Sequence, residues 1–360
     1  MSAPRTPGFV ETRTLVFWAT LALMVVGAYW NFSYNSDIAG DNGGSLVIPL
    51  IAWVLYGFVV GWLIYSLQTF ERRPVSAAVA AVAWGFFVAG GIVGFIGEDF
   101  QSLLVKLLGV ETATEWGSAI RAPFEEETTK LLGVVALALI PRVRLTRTID
   151  GLYYGMLVGL GFLVSENIFF TNEEINLQGG GVASSIFEVM LVRGVFALPL
   201  SHVVYTGIAG AGIGYFMSRR GQPILGRLSV AFGLYAAAML FHGFNNSPIL
   251  EDVGFGLFIK GIPALVTFLF VLRWARREYR SDLLVLAQSF PEISNEDLET
   301  LGSRRSRKQA IKASADPDRI RETQKAQIDL LVAADIYGLE APETAMASAN
   351  VPLPGDASPE

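Results

Sequence analysis

Three adjacent glutamates and a lysine open an otherwise apolar segment of this chain. They lie in APFEEETTK, which runs from Ala122 to Lys130 and leads directly into LLGVVALALIP. Lys130 follows Glu127 by three residues and Glu126 by four, so on a helix the three side chains share one face. Charged groups in hydrocarbon are costly and usually functional. Such a group can activate water, with one carboxylate as general base while the lysine keeps another ionised.

Three later positions carry further groups of the same chemistry. Glu166 is followed by Asn167, and the only two histidines of the chain are His202 and His242. Two imidazoles and a carboxylate are a ligand set that zinc uses when one position is kept for water. The candidate metal ligands are therefore Glu127, Glu166, His202 and His242, with Zn²⁺ as the candidate ion. A glutamate acting as general base without any metal is the alternative that the residues leave open.

An amide completes the predicted catalytic set. Asn246 lies four residues after His242, on the same helix face, and its side chain could donate a hydrogen bond to a developing oxyanion. Glu125 is a third carboxylate that could take the place of either neighbour. The predicted catalytic residues are Glu126, Glu127, Lys130, Glu166, His202, His242 and Asn246.

The composition indicates that the elements carrying these residues are membrane-spanning helices. Of the 360 residues, 52% are hydrophobic and 17% are charged, and the mean hydropathy is +0.45, which is typical of a polytopic membrane protein. The chain has no cysteine, which excludes thiol catalysis, disulfides and cysteine-ligated metals. The net charge is −6, and no basic patch with interleaved aromatic residues occurs, so we expect no nucleic-acid partner.

Apolar runs of about 17–25 residues can cross a bilayer as helices. The sequence predicts an all-α bundle of about eight spans, near 14–31, 46–69, 75–97, 122–141, 149–170, 185–217, 228–247 and 254–274. Residues 100–110 form a short amphipathic stretch that we expect at the membrane surface or against the bundle. The sixth run is too long for a straight crossing, and Pro199 is predicted to kink it.

Basic residues fall in alternate loops of this arrangement. Arginines precede the first span, follow the eighth, and occupy the loops after the second, fourth and sixth, whereas the other loops are mainly acidic. Because Lys and Arg concentrate on the cytoplasmic side, both termini are predicted to be cytoplasmic. We expect the chain in the lipid bilayer of a bacterial plasma membrane.

The same orientation brings the polar residues to one depth. A helix rises about 1.5 Å per residue, which places His202 roughly 22 Å above the cytoplasmic end of its span. The glutamates begin the fourth span on the outer side, Glu166 lies in the last turns of the fifth, and His242 lies in the last turns of the seventh. Four helices thus carry polar groups to the outer third of the membrane, where water can reach them.

The expected division of the chain has three parts. Residues 1–98 hold the first three spans, 99–277 hold a catalytic core, and 278–360 form a charged cytoplasmic tail with one or two short helices and a disordered end.

Four short motifs in this order resemble the PrsW family of intramembrane proteases, distant relatives of the CAAX prenyl endopeptidase and bacteriocin-processing superfamily. The first is Glu126-Glu127 with Lys130, after Ala-Pro. The second is Phe-x-x-x-Glu-Asn, with Glu166 and Asn167. The later histidines, the second followed by asparagine, complete the match over about 115–275.

The resemblance implies an intramembrane endopeptidase that cleaves a single-pass membrane protein near the extracytoplasmic face. The best-known member cleaves an anti-sigma factor, so an anti-sigma factor-like regulator is an expected substrate class. The resemblance leaves the use of a metal open.

The same residues are also compatible with other functions. A transporter or channel would gather Glu, His and Lys along a pathway, and a non-catalytic scaffold would use the fold to bind a partner helix. Individually, the glutamates could cap a helix, Lys130 could form a structural ion pair, and Arg193 could pair with Glu188. Against transport, the polar groups are confined to the outer third.

Overall fold

The computed structural model describes residues 8–39, 44–66, 68, 73–177, 181–196, 201–290 and 293–337. Within these residues the regular secondary structure is helical, and no strand occurs. The predicted all-α class is confirmed.

Fourteen α-helices are present in the part of the chain that is described. They are α1 (Leu15–Ala39), α2 (Gly44–Ser66), α3 (Val75–Ala83), α4 (Gly90–Leu108), α5 (Val110–Ala122), α6 (Thr128–Ala138), α7 (Thr148–Leu177), α8 (Val182–Val189), α9 (Ser201–Ser218), α10 (Ile224–Asn246), α11 (Gly256–Ala287), α12 (Asn295–Leu301), α13 (Arg304–Ala313) and α14 (Pro317–Tyr337). Three π-helical turns lie at Trp84–Ala89, Pro123–Glu127 and Met190–Phe196.

The chain is a multi-pass membrane protein. Six described helical segments are long and apolar enough to cross a bilayer, and a seventh results if α8 and α9, inclined by 41° to each other, form one broken span. Pro199, the predicted cause of that bend, lies outside the described residues. The predicted span at 122–141 is helical as far as Ala138, but four charged residues lie close together within its positions 125–130, and it is not among these six apolar segments. The predicted number of eight is therefore approximate.

The third span is longer than predicted. Residues 100–108 do not form a separate surface helix, because α4 continues through them to Leu108. Nothing between Gly97 and Leu108 breaks the helix, whereas Gly109 has a φ of 84°, a conformation that glycine adopts readily and that ends helices.

The glutamate run lies in a widened turn of helix. Pro123 has no N–H to donate to the carbonyl of Ala119, four residues earlier, and the π-helical turn Pro123–Glu127 begins at this proline. A Cβ placed on Gly243 of α10 would lie 2.8 Å from the Ala119 carbonyl oxygen. The glycine therefore lets α10 approach closely at this level, which brings the neighbouring His242 towards the glutamates.

Helix α7 lies at the centre of the bundle and contacts α1, α2, α3, α6, α8 and α9. Its closest approach is to α9, along a row of glycines. A Cβ on Gly155 would lie 2.2 Å from the carbonyl oxygen of Thr206, and one on Gly159 would lie 2.3 Å from that of His202. Small residues of this kind allow helix backbones to touch in membranes. The approach fixes the height of His202 relative to α7.

The described helices form two compact units. One contains α1 to α10 and α11 as far as Ala275, and the other contains α11 from Arg276 onwards with α12, α13 and α14. The second unit contains three further helices where one or two short ones are predicted, and the last of them, α14, has 21 residues. The C-terminal end, predicted to be disordered, lies outside the described residues.

Candidate active site

Glu127 is a fully buried carboxylate with three partners. Its Oε1 lies 2.6 Å from Lys130 Nζ and 3.0 Å from His242 Nδ1, and its Oε2 accepts a hydrogen bond of 3.1 Å from Thr206 Oγ1. An ionised carboxylate only accepts hydrogen bonds, so the third partner, His242 Nδ1, must donate its N–H to Glu127 Oε1. This assigns the hydrogen to Nδ1 and leaves the lone pair on Nε2.

The second imidazole is oriented in a similar way from the opposite side. His202 Nδ1 lies 3.2 Å from Lys130 Nζ, and because an ammonium only donates, Nδ1 must accept. The hydrogen is then on Nε2, which lies 2.8 Å from Glu166 Oε2. Each histidine therefore donates from one ring nitrogen to a carboxylate and keeps a lone pair on the other. The lone pair of His202 accepts the hydrogen bond from Lys130, whereas that of His242 has no hydrogen bond with any described residue.

Glu126 faces both lone pairs. Its Oε2 lies 3.7 Å from His242 Nε2, 3.9 Å from His202 Nδ1 and 3.3 Å from Lys130 Nζ. Its Oε1 forms no hydrogen bond with any described residue. Two imidazole nitrogens and a carboxylate oxygen thus converge, with a second oxygen to spare.

Lys130 is the cation at the centre of this cluster. Its side chain is fully buried, its Nζ contacts Glu126, Glu127 and His202, and it lies 4.2 Å from the centre of the Phe162 ring. Three acceptors match the three N–H groups of an ammonium. Phe162, the aromatic residue of the second sequence motif, covers the cation.

Glu125 points away from the cluster. It is buried, and its Oε2 lies 3.9 Å from Arg121 Nη1, one turn earlier in the helix. It would also lie 3.9 Å from a Cβ on Gly97, which places it beside α4. Neither carboxylate oxygen has a hydrogen-bond partner among the described residues. Of the three adjacent glutamates, Glu126 and Glu127 face the histidines.

Arg193, in the π-helical turn Met190–Phe196, lies on the cavity wall next to Glu166 and Asn167. Its guanidinium forms an ion pair with Glu166 Oε2, donates a 2.7 Å hydrogen bond to Asn167 Oδ1 and lies 3.8 Å from the centre of the Phe170 ring. The arginine therefore holds the carboxylate that orients His202. Sequence reasoning missed this role because the two residues are 27 positions apart and on different helices.

Two further residues at the site were not predicted from the sequence, although their helical spacing from His202 could have indicated them. Tyr205 and Thr206 follow His202 by three and four positions, on the same helix face. Thr206 donates to Glu127, as described above. The Tyr205 ring stacks on the His242 ring at 5.2 Å and 14°, and its buried hydroxyl has no hydrogen-bond partner among the described residues.

An open cavity of about 930 Å³ reaches this cluster. Its walls include Glu126, Glu166, His202, His242 and Tyr205. Asn246 also lines it, and the Asn246 backbone carbonyl accepts a 3.3 Å hydrogen bond from Ser118. The loop after α10, with Glu251, forms part of the wall. The cavity therefore opens at the end of the bundle that the charge distribution predicts to be outside.

The donor set suits a divalent metal. Donor atoms of Glu126, Glu127, His202 and His242 all lie within 4.8 Å of one another, and all four residues are buried. Imidazole nitrogen and carboxylate oxygen are ligands that zinc accepts. In addition, each histidine donates its single ring N–H to a carboxylate on the side away from Glu126, the arrangement that normally orients metal-bound histidines. The residues fit a metal in ligand type, proximity and orientation.

The comparisons with known proteins agree with this chemistry. The sequence model of the PrsW family, described as PrsW family intramembrane metalloprotease, matches residues 73–275, which is more than half of the chain and contains every residue of the cluster. No curated protein and no solved structure matches the chain.

Proposed function

Since the chain belongs to the PrsW family of intramembrane metalloproteases, we propose that it hydrolyses a peptide bond of a membrane-anchored protein at the Glu126–His202–His242 cluster. The single observation that supports this most strongly is the convergence of two imidazole lone pairs and a carboxylate on the wall of an open cavity. The proposed substrate is a single-pass membrane protein, and an anti-sigma factor-like regulator is one candidate class.

Glu126 is proposed as the general base. Its Oε1 has no protein partner among the described residues, and the residue lines the cavity, so this oxygen can take a proton from an attacking water. The water oxygen bonds to the peptide carbonyl carbon. Glu126 then passes the proton to the amide nitrogen as the carbon–nitrogen bond breaks, which yields a carboxylic acid and an amine.

The other residues are proposed to orient the two histidines, to balance the charge of the carboxylates and to stabilise the oxyanion. Glu127 and Glu166 orient His242 and His202, and Lys130 neutralises part of the carboxylate charge. Asn246 and the unpaired hydroxyl of Tyr205 are candidate donors to the oxyanion that forms on the carbonyl oxygen.

A metal would be held by His202 Nδ1, His242 Nε2 and Glu126 Oε2, with zinc as the candidate ion. When bound, it supplies a polarised water and a positive charge beside the carbonyl. The ligand set predicted from the sequence, Glu127 and Glu166 with both histidines, is the alternative way in which these residues could hold a metal. We favour Glu126 because Glu127 and Glu166 each bond the ring nitrogen on the far side of its histidine.

A transporter is the competing function, and the shape of the cavity favours the protease. The residues of α7 that line the cavity lie between Phe162 and Phe170, and no residue of α7 before Phe162 does so. Below that level, the glycine row brings α7 and α9 into backbone contact. Within the described part of the chain, the polar cavity therefore ends at the site.

The test compares cells that express wild-type protein with cells that express Glu126→Gln, by proteomics of membrane and released fractions. We expect a membrane protein to lose its outer domain in wild-type cells only, with cleavage by purified protein reduced by about 10²–10⁴-fold in Glu126→Gln. Glu125→Gln is the matched control, because Glu125 points away from the cluster, and it should retain cleavage. Equal cleavage by Glu126→Gln, or substrate-driven flux in proteoliposomes without any cleavage, would refute the proposal.

A further inference from the structure

A second buried lysine lies on the wall of the same cavity, away from the catalytic cluster. Lys260, in the second turn of α11, is only 4% exposed, and its Nζ donates a 2.8 Å hydrogen bond to the backbone carbonyl of Ser247. Ser247 caps the C-terminus of α10, five residues after His242. The ammonium therefore lies on the wall of the cavity that leads to the cluster.

Lys260 differs from the other cations on this wall. Arg121 pairs with Glu125, and Arg193 pairs with Glu166. Lys260 forms no ion pair with any residue that the structure describes. Glu251, in the same wall, is exposed; its negative charge acts on Lys260 through space, but the two side chains form no direct ion pair.

An ammonium in this environment has unused bonding capacity. It has three N–H groups, and the Ser247 carbonyl takes one. Burying a charge is costly unless an opposite charge or several hydrogen bonds compensate for it, and one neutral carbonyl with an exposed carboxylate beyond direct contact compensates only in part. A carboxylate that enters the cavity would supply both the charge and the missing acceptors.

We propose that Lys260 forms a subsite for a carboxylate of the peptide substrate, either an acidic side chain or the C-terminal carboxylate. This inference rests on the proposed peptidase function and specifies its substrate class. Five residues of helix correspond to about 7.5 Å, and an extended peptide advances about 3.3 Å per residue. The carboxylate is therefore expected two or three residues from the scissile bond.

The test uses quenched fluorescent peptides of mixed sequence with Glu, Gln or Lys at the second and third positions on either side of the cleaved bond. Each peptide is made with a free acid and with an amidated C-terminus. Wild-type protein is expected to cleave one Glu series at least about tenfold faster, in kcat/KM, than its Gln counterpart, or to show the same preference for free acid over amide, which distinguishes the two sources of the carboxylate.

Variants identify the residue responsible. Lys260→Met should abolish the preference while cleavage of the Gln series persists, and Lys260→Glu should transfer the preference to the Lys series. Lys106→Met, which changes an exposed lysine of α4, is the matched control and should retain the wild-type preference. A preference that survives Lys260→Met would overturn the proposal. So would an equal loss for all peptides, which would indicate a structural tether or a site for a lipid phosphate.

A binding measurement separates this inference from the proposed function. The same peptides are titrated against Glu126→Gln protein with and without Lys260→Met, by fluorescence anisotropy. If wild-type protein cleaves none of the peptides but Lys260 still selects acidic ones, the peptidase proposal fails and the subsite stands. If cleavage occurs and neither binding nor turnover favours a carboxylate, the subsite fails and the peptidase stands.

Discussion

At the scale of single residues, Lys130 and a metal ion would contact the same atoms. The ammonium lies within 3.3 Å of Glu126 Oε2 and His202 Nδ1, two of the three atoms proposed as ligands. A cation so placed lowers the affinity of the site for a second cation by charge repulsion, and it keeps the two carboxylates from repelling each other when no metal is bound.

Replacing this lysine should therefore change metal affinity and stability in opposite directions. In Lys130→Met we expect tighter zinc binding, measured by competition with a chromogenic chelator. Without metal, we expect a loss of stability of about 3–5 kcal/mol, because buried Glu127 loses the ammonium that balances its charge and keeps only its hydrogen bonds with His242 and Thr206. Thermal unfolding with and without zinc measures the second effect.

The control is Lys106→Met, whose side chain is exposed and does not line the cavity. It should change neither zinc affinity nor unfolding temperature. Weaker zinc binding in Lys130→Met would mean that the lysine supports the ligands and does not compete with the ion.

Part of the residue-level arrangement could be predicted from the sequence. The spacing of Glu126, Glu127 and Lys130 within one helix is local, and these residues do contact one another. Which glutamate bonds which histidine depends on how four helices are rotated about their axes, and hydropathy carries no such information. For the same reason, the separation of Glu125 from its two neighbours could not be foreseen.

At the scale of helices, the contact between α7 and α9 positions one of the two imidazoles. Gly159 lies against the backbone carbonyl of His202, so a methyl group at this position must push α9 away. Glycines can allow close packing anywhere along a membrane helix, and the sequence alone does not indicate that Gly159 lies against a proposed catalytic residue.

Gly159→Ala tests this coupling. Overpacking of this kind costs about 1–3 kcal/mol of stability, and a shift of about 1 Å in a catalytic group can reduce the rate by about 100-fold. We expect slower peptide cleavage, with the loss in kcat, in protein that still folds. The measurements are peptide turnover and thermal unfolding.

Gly233→Ala in α10 is the matched control, because a Cβ at that glycine meets no other atom within 4 Å. It should leave turnover unchanged and leave stability equal or slightly higher, since alanine favours helix over glycine. Full activity in Gly159→Ala would show that the contact does not govern the position of His202.

At the scale of the whole molecule, the orientation in the membrane is a proposal that rests on the arginine-rich loops. The number of apolar helices could be predicted approximately, because length and hydropathy are read directly from the sequence. The end of the third span could not be predicted, since amphipathic residues 100–108 are compatible with both a surface helix and the extension of α4 that is observed. The rotation and tilt that bring four polar positions to one cavity depend on packing throughout the bundle.

Single cysteines test the proposed orientation, because the chain contains none of its own. Gly221, between α9 and α10, and Asp252, between α10 and α11, are both exposed. In intact cells, a membrane-impermeant maleimide should label Asp252→Cys and should label Gly221→Cys only after permeabilisation. The reverse pattern would place the cavity on the cytoplasmic side and exclude an extracytoplasmic substrate.

The widened turn at Pro123–Glu127 has a consequence for how this lineage can change. A π-helical turn holds one residue more than an α-helical turn, so loss of one residue there would restore a regular α-helix and leave Lys130 and the rest of α6 in place. The apolar surface and the membrane insertion would survive, whereas the arrangement of the carboxylates around Lys130 would not. A one-codon deletion at this point is therefore a short evolutionary route from a protease to an inert relative with the same architecture.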